Sequence, residues 1–300
     1  MSSLEGARPR PTRPRAAERA LALVLFALAV VGAMAGAFVF LLHVQGDPLN
    51  DAHAYYWAGG RLNAGLPLYP PDQSVSTPLG YPYPPMIAIL WRPLALLPWP
   101  VAAAIWEVVV VAAFLATVWW LGPRRKATWL AMGILALPIG WCIAIGQVQV
   151  ILTLFSAIGT PWSVALAANI KLFPGLIALW WIGRRDWRRL GQFIGWMAAL
   201  GLIQLILAPQ ASLDYLTAIN LHQVGAPGAI RNISPYAVSP ILWAALVAAG
   251  VLLVLRLAPT RFGWAAAATL AVLANPRLIV YLLMALLATV ANPGRRHPDA

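Results

Sequence analysis

From Ala20 to Leu42 the chain runs 23 residues without a charged side chain. At about 1.5 Å per residue, a helix of that length crosses a hydrocarbon core of about 30 Å. In lipid every backbone N–H and C=O must be satisfied within the protein, which leaves helices or a closed barrel as the spanning structures. Comparable apolar stretches recur along the chain, separated by short basic turns at Arg124-Arg125-Lys126, Arg184 to Arg189 and Arg261. With 61% hydrophobic and 10% charged residues among 300, the chain carries more apolar surface than a water-soluble core can hide. The mean hydropathy of +0.74 points the same way. The expected fold class is all-α: a polytopic integral membrane protein of about 8–10 transmembrane or re-entrant helices. The net charge of +12 would suggest nucleic acid in a soluble protein. Here the Lys and Arg residues sit between apolar spans, as the positive-inside rule places them, so no nucleic-acid partner is expected.

Arg8, Arg10, Arg13, Arg15 and Arg19 precede the first run much as basic residues precede a signal peptide. The run is too long for one and lacks a clear cleavage site, so the expectation is an uncleaved first helix, Ala20 to Leu42, with a cytoplasmic N-terminus in a multi-pass cell-membrane protein. The basic tail is then residues 1–18, the membrane domain 19–291 and a second cytoplasmic tail 292–300. Loops 43–85 and 209–239 fall on the extracytoplasmic side. In the first loop Asn50 is expected to cap a short helix from Asp51 to about Asn63, ended by Gly65 and Pro67. Tyr55, Tyr56 and Trp57 would hold it at headgroup level. Met86 to Leu121, interrupted by Arg92, Pro93, Pro98 and Pro100, reads as a short re-entrant piece followed by a full span. Thr128 to Ile145 reads as one return crossing. Ile151 to Ile182, broken at Gly159-Thr160-Pro161 and Lys171 to Pro174, reads as two or three short helices. Leu190 to Ala208 and Pro240 to Leu257 are further crossings, and Trp264 to Val290 is a hairpin broken at Asn275-Pro276-Arg277. The lone Cys142 lies in an apolar segment, which leaves no disulfide framework and no thiolate metal site.

Carboxylates are scarce in this chain, and three of the nine acidic residues (Asp47, Asp51, Asp72) fall in the first loop. Asp51, on a surface helix among aromatic rings, is the candidate general base, because partial desolvation raises the basicity of a carboxylate that stays ionised. Its bland alternative is a helix-capping role beside Asn50. Tyr55 and Arg61 on the same helix are candidate substrate contacts. Gln147, Lys171 and Arg277 each interrupt an apolar stretch, where a polar group is costly and tends to face a cavity or ligand. Lys171 and Arg277 suit a phosphate at the membrane surface, with snorkelling to the interface as the alternative. For Gln147 the alternative is a helix–helix hydrogen bond. In the second loop His222 is a candidate for orienting a hydroxyl or assisting a departing phosphate, with a merely solvated loop histidine as the alternative, and Arg231 is a candidate substrate contact. Asn232-Ile233-Ser234 fits a glycosylation sequon that is common by chance. The basic turns serve topology and contact anionic lipid. No motif supports a nucleotide-driven pump, a zincin or a serine hydrolase, and scattered carboxylates give no metal site.

Taken together, Asp51-Ala-His-Ala-Tyr55-Tyr56, Gly65-Leu-Pro-Leu-Tyr69, Tyr83-Pro84-Pro85 and Pro93-Leu94-Ala95 resemble the first loop of family-87 glycosyltransferases. Gly146-Gln147 and Ile170-Lys171 with Pro174 follow in the expected order, so the resemblance runs from about Asp51 to Arg189 and fades beyond it. It implies a GT-C type membrane fold, an extracytoplasmic active site, a polyprenyl-phosphate sugar donor (typically mannose), a lipid or glycan acceptor, and no cofactor. It aligns Asp51 with the family's catalytic aspartate and implies a single inverting displacement. Two rival expectations stand beside it. A transporter or lipid-translocating protein also needs broken helices and intramembrane charge, and a non-catalytic partner in envelope assembly would keep the fold without needing Asp51.

Overall fold

The computed structural model describes residues 16–70, 81–218 and 232–291, and among these every regular element is helical. Among the described residues four helices are long and apolar enough to cross a membrane: α1 (Ala16–Gly46), α4 (Trp99–Leu121), α10 (Trp187–Leu207) and α12 (Pro240–Leu257). Between them lie α2 (Asn50–Asn63), α3 (Pro85–Trp91), α5 (Lys126–Ile134), α6 (Ala136–Ala144), α7 (Gln149–Ile158), α8 (Pro161–Ile170), α9 (Ala178–Gly183) and α11 (Pro209–Ala218), with α13 (Gly263–Leu273) after α12. In α1 and α12 only 6% of the most apolar stretch is buried within the protein. Their side chains therefore need lipid around them.

The crossing expected from Thr128 to Ile145 is instead two helices, α5 and α6, bent by 68°. Pro138 explains the break: a proline has no N–H for the carbonyl four residues back and its ring crowds that group. That carbonyl belongs to Ile134, the last residue of α5. Helix α1 lies across both halves at backbone distance. A Cβ on Gly32 would stand 2.3 Å from the Gly133 carbonyl oxygen, and one on Gly140 would stand 2.6 Å from that of Gly36. In lipid such small-residue contacts replace the hydrophobic drive for helix association.

The remaining breaks fall where proline and glycine predict them. Met86 to Leu121 resolves into α3, a 3-10 turn at Leu94–Leu96 and α4, and the long run after Ile151 resolves into α7, α8, the 3-10 helix Phe173–Ile177 and α9. Gly159, at φ 65°, ends α7 in the left-handed conformation that favours glycine. Pro161 then opens α8, where its missing N–H costs nothing. Beyond Asn275-Pro276-Arg277 the chain continues as an eleven-residue 3-10 helix, Val280–Val290.

These elements build two unlike ends. At one, Trp120 Nε1 donates to the Ala157 carbonyl at 2.9 Å and Arg125 Nη1 to that of Val290 at 3.1 Å. A Cβ on Gly183 there would lie 2.5 Å from Ala258. This end gathers the turns that carry Arg124, Arg125, Lys126, Arg184 to Arg189 and Arg261. At the other, His53 stacks on Trp99 at 4.1 Å, Arg92 Nε donates to Asn63 Oδ1 at 3.0 Å and Trp243 Nε1 to the Ala274 carbonyl at 3.1 Å. Helix α4 runs from this end to the basic one.

Candidate active site

Helix α2 starts without the expected side-chain cap. Its N-cap is Leu49, in the left-handed region at φ 54°, and no side chain caps it, neither Asn50 nor Asp51. The backbone amides of Leu49, Asp51 and Ala52 donate instead to the carbonyls of Ala144 and Ile145, at 3.0, 3.1 and 3.3 Å. The C-terminal end of α6 thus meets the N-terminal end of α2, and each supplies the other's unmet backbone groups. Gly146, at φ 65°, allows that approach, since a Cβ there would stand 2.8 Å from Ala52 Cβ. Asp51 lies in the first turn of α2, where the helix dipole favours a negative charge.

That junction sets Asp51 beside Gln147, whose Nε2 donates to Asp51 Oδ2. Gln147 is wholly buried. Its Oε1 accepts from the Tyr55 hydroxyl at 2.6 Å and from Lys171 Nζ at 3.2 Å. Lys171 follows the last residue of α8 and also donates to Gln149 Oε1 at 3.2 Å. Its ammonium lies 4.8 Å from the centre of the Tyr83 ring and 5.8 Å from that of Tyr281, both in cation–π range. No carboxylate among the described residues stands within ion-pairing distance of Lys171.

Burial pushes the Asp51 carboxyl up to about 6, against the pull of Lys171 and then Arg277. Burial likewise lowers Lys171 to about 8, with Asp51 opposing it. Both groups are therefore charged in a window from about pH 6 to about pH 8. Arg277 enters the cluster through its field on Asp51. Its turn is pinned by Asn232, whose Nδ2 donates to the Pro276 carbonyl at 3.0 Å and whose Oδ1 accepts from the Leu278 amide at 2.9 Å. The residue that reads as a glycosylation acceptor is thus an internal strut. Beside the cluster, His43 Nδ1 meets Asp47 Oδ1 at 2.5 Å, and the His43 ring stacks on Trp141 at 4.7 Å.

The structure therefore brings Asp51, Tyr55, Gln147 and Lys171 together, with Arg277 in electrostatic reach. It leaves Arg61 apart: the Arg61 Nε donates to the Pro67 carbonyl at 2.7 Å, ten residues and about 15 Å along α2 from Asp51. His222, Arg231 and Asp72 lie outside the described residues. Of the three rings expected at headgroup level only Trp57 is exposed. Tyr55 is buried, and the hydroxyl of half-buried Tyr56 donates to the Leu97 carbonyl at 2.9 Å. Tyr83, Gln149 and Tyr281 were not singled out for this site. The Tyr-Pro-Tyr-Pro-Pro run at 81–85 was the one available signal for Tyr83. Behind Lys171, Gln149, Ser156 and Asn275 help line a cavity of about 20 Å³, room for about one water. Among the described residues no group of three or more His, Cys, Asp or Glu side chains is placed to hold a metal ion.

The fold and this cluster define a polytopic helical membrane protein with a carboxylate, an amide and an ammonium assembled at one end of the bundle. The chain belongs to glycosyltransferase family 87, whose family model matches residues 81–293. The match extends through the C-terminal third, where the sequence motifs faded, and it starts after Asp51. Among curated proteins, the chain is 31% identical over 211 residues to a polyprenol-phosphate-mannose-dependent alpha-(1-2)-phosphatidylinositol pentamannoside mannosyltransferase of Mycolicibacterium smegmatis, covering 64% of this chain and 51% of the relative. A protein of the same description from Mycobacterium tuberculosis is 29% identical over 232 residues, covering 70% of this chain and 53% of the relative. A phosphatidylinositol mannoside mannosyltransferase of the latter species is 29% identical over 199 residues, 55% of this chain and 46% of the relative. The chain thus spans about half the length of the curated relatives it matches. No solved structure matches it significantly.

Proposed function

We propose that this chain is a membrane mannosyltransferase that moves mannose from a polyprenyl-phosphate donor to a lipid or glycan acceptor, on the extracytoplasmic face, by a single inverting displacement. The observation that carries the reading is the placement of Asp51 and Lys171 on opposite sides of Gln147: a base and an unpaired cation held a few ångströms apart at one end of the bundle. Asp51 takes the proton of an acceptor hydroxyl as its oxygen attacks the anomeric carbon. The bond from that carbon to the phosphate oxygen breaks, and the polyprenyl phosphate leaves with the electron pair toward Lys171, with Arg277 adding positive field. A β-linked donor then gives an α-linked product, the linkage in the relatives' names. A lipid-linked donor suits a chain without a nucleotide-binding motif, and charge stabilisation at a low-dielectric site is the largest lever such an enzyme has. The basic turns at the far end of the bundle support an outward-facing site and a cytoplasmic N-terminus. His222 and Arg231, in the second loop, remain candidates for the acceptor and phosphate sides.

The test is transfer of radiolabelled mannose from polyprenyl-phosphate mannose in membranes containing the wild type or Asp51→Asn at matched expression. The expected loss is about 10²- to 10⁴-fold, the usual contribution of a positioned base. Transfer that survives the substitution would remove Asp51 from the mechanism. A wild type that transfers nothing from this donor would remove the donor assignment.

A further inference from the structure

Two groups that attract each other strongly share this site without touching. Asp51 and Lys171 are each held by the amide of Gln147, one at its nitrogen and one at its oxygen. Donor chemistry leaves the amide no other orientation. An ammonium only donates and an ionised carboxylate only accepts, so Oε1 must face Lys171 and Nε2 must face Asp51. The Tyr55 hydroxyl, which accepts from the Val148 amide at 3.4 Å and donates to Oε1 at 2.6 Å, is consistent with that orientation. The backbone holds it too: the Gln147 amide donates to the Cys142 carbonyl at 2.9 Å, and the residue follows the left-handed Gly146. An amide side chain donates at one end and accepts at the other without carrying a charge.

We propose that Gln147 is a positioning residue, a neutral spacer that keeps the base from closing an ion pair with the cation, so that Asp51 stays free to accept a proton and Lys171 stays open to an anion. Its importance for catalysis rests on the transferase reading above. An ion pair between the two would weaken Asp51 as a base and neutralise the charge that draws the phosphate. With the spacer in place, two of the three Lys171 donors go to the uncharged amide oxygens of Gln147 and Gln149, and the ammonium lies against the Tyr83 and Tyr281 rings. Around Asp51 the other groups that bear on its charge are Arg277, Asp47 and His43. The Tyr55, Tyr83 and Tyr281 hydroxyls face the same cluster.

Gln147→Glu keeps the shape and replaces the donor with a second carboxylate. It pairs with Lys171 and repels Asp51. Gln147→Met keeps approximate volume and removes both hydrogen bonds without adding charge. The experiment follows the carboxyl stretch of Asp51 by infrared difference spectroscopy during a pH titration of the full chain in lipid nanodiscs, assigned by its absence in Asp51→Asn. The acidic limb of kcat/KM with polyprenyl-phosphate mannose is measured alongside. The proposal expects the Asp51 midpoint to rise by about one pH unit or more in Gln147→Glu, as for neighbouring carboxylates. It expects a smaller rise in Gln147→Met, where the volume still separates the groups and only the hydrogen bond is lost. In Gln147→Ala, where Asp51 and Lys171 can close on each other, it expects a fall below the wild-type midpoint. The kinetic limb should make a matching move in each case. A folded Gln147→Ala whose midpoint does not fall overturns the spacer. A midpoint that stays at the wild-type value in a folded Gln147→Glu overturns it. If that variant does not fold, an unmoved midpoint in Gln147→Met overturns it. Titration shifts as expected, with no turnover even in the wild type, would sink the transferase reading and leave the spacer supported.

Discussion

The two ends of the bundle handle charge in opposite ways. The basic end carries Arg124, Arg185 and Arg261 on short turns and Lys126 and Arg188 at the starts of α5 and α10, all exposed. Its one described ion pair, Arg189 with Asp186, is loose at 3.6 Å and solvent-accessible, an arrangement worth little energetically. The other end places few charges, partly buried, and joins them through a single amide. The basic residues described there thus sit in water-exposed positions with loose partners, whereas the candidate chemistry depends on a small number of groups at fixed distances. The contrast makes specific demands on substitutions at each end.

The largest expected effect after Asp51→Asn is at Lys171. On the proposed mechanism, Lys171→Met removes the cation that would face the departing phosphate and should lower kcat/KM by about 10²- to 10³-fold, the loss typical of one transition-state donor. A drop of less than tenfold in the mannose-transfer assay would move that role elsewhere. Next is pH. The proposed mechanism needs Asp51 ionised and Lys171 protonated, so kcat/KM should rise through about 6 and fall through about 8, with about tenfold loss for each unit beyond either limit. A profile flat from pH 5 to pH 9, or one with its limbs reversed, would break the assignment. The same shift acts on stability with the opposite sense. A carboxyl raised from 3.8 to about 6 contributes stability below its unfolded value that is lost as pH rises through about 6. Asp51→Asn should accordingly be more thermostable than the wild type at pH 7.5 and not at pH 4, measured by thermal unfolding in detergent.

A smaller but clear effect belongs to the junction that positions the site. Gly146→Ala forces a side chain into left-handed backbone and against Ala52, at a cost on the order of 1–3 kcal/mol. It should lower the unfolding temperature and the transfer rate together, and unchanged values for both would show that α2 and α6 need no such approach. The smallest effect sharpens the contrast from the other side. Arg188→Gln with Arg189→Gln should change kcat/KM by less than about twofold, since exposed sites stay within about 0.5 kcal/mol. A large loss in transfer would mean that the two ends are coupled.

Much of the architecture was legible because hydropathy and helix breakers act locally. Pro240 to Leu257 is a helix with the bounds its apolar run suggests, and the breaks near Lys171 and Pro276 fall where glycine and proline interrupt a helix. Pro138 is an equally local signal, and it breaks the apolar run from Thr128 to Ile145 into α5 and α6. The site was legible only as separate residues. Asp51, Gln147 and Lys171 each stood out as polar groups in apolar surroundings. Nothing in their spacing said that one amide would join residues 96 and 24 positions away. Nor did it say that Tyr83 would lie on Lys171, that Arg61 would turn away, or that Asn232 would brace the turn of Arg277.

The amino-acid sequence by itself determined that this chain is a helical membrane protein, which end of each span is basic, and that three of its nine acidic residues fall just beyond the first span. Those follow from the cost of bare backbone and charge in hydrocarbon, a cost paid residue by residue. Only the tertiary structure decided that the first turn of α2 abuts the end of α6, and that a carboxylate and an ammonium share the amide of Gln147. Such contacts depend on how closely separate helices approach, and that distance is set where Gly32, Gly36, Gly133, Gly140 and Gly146 let backbones meet.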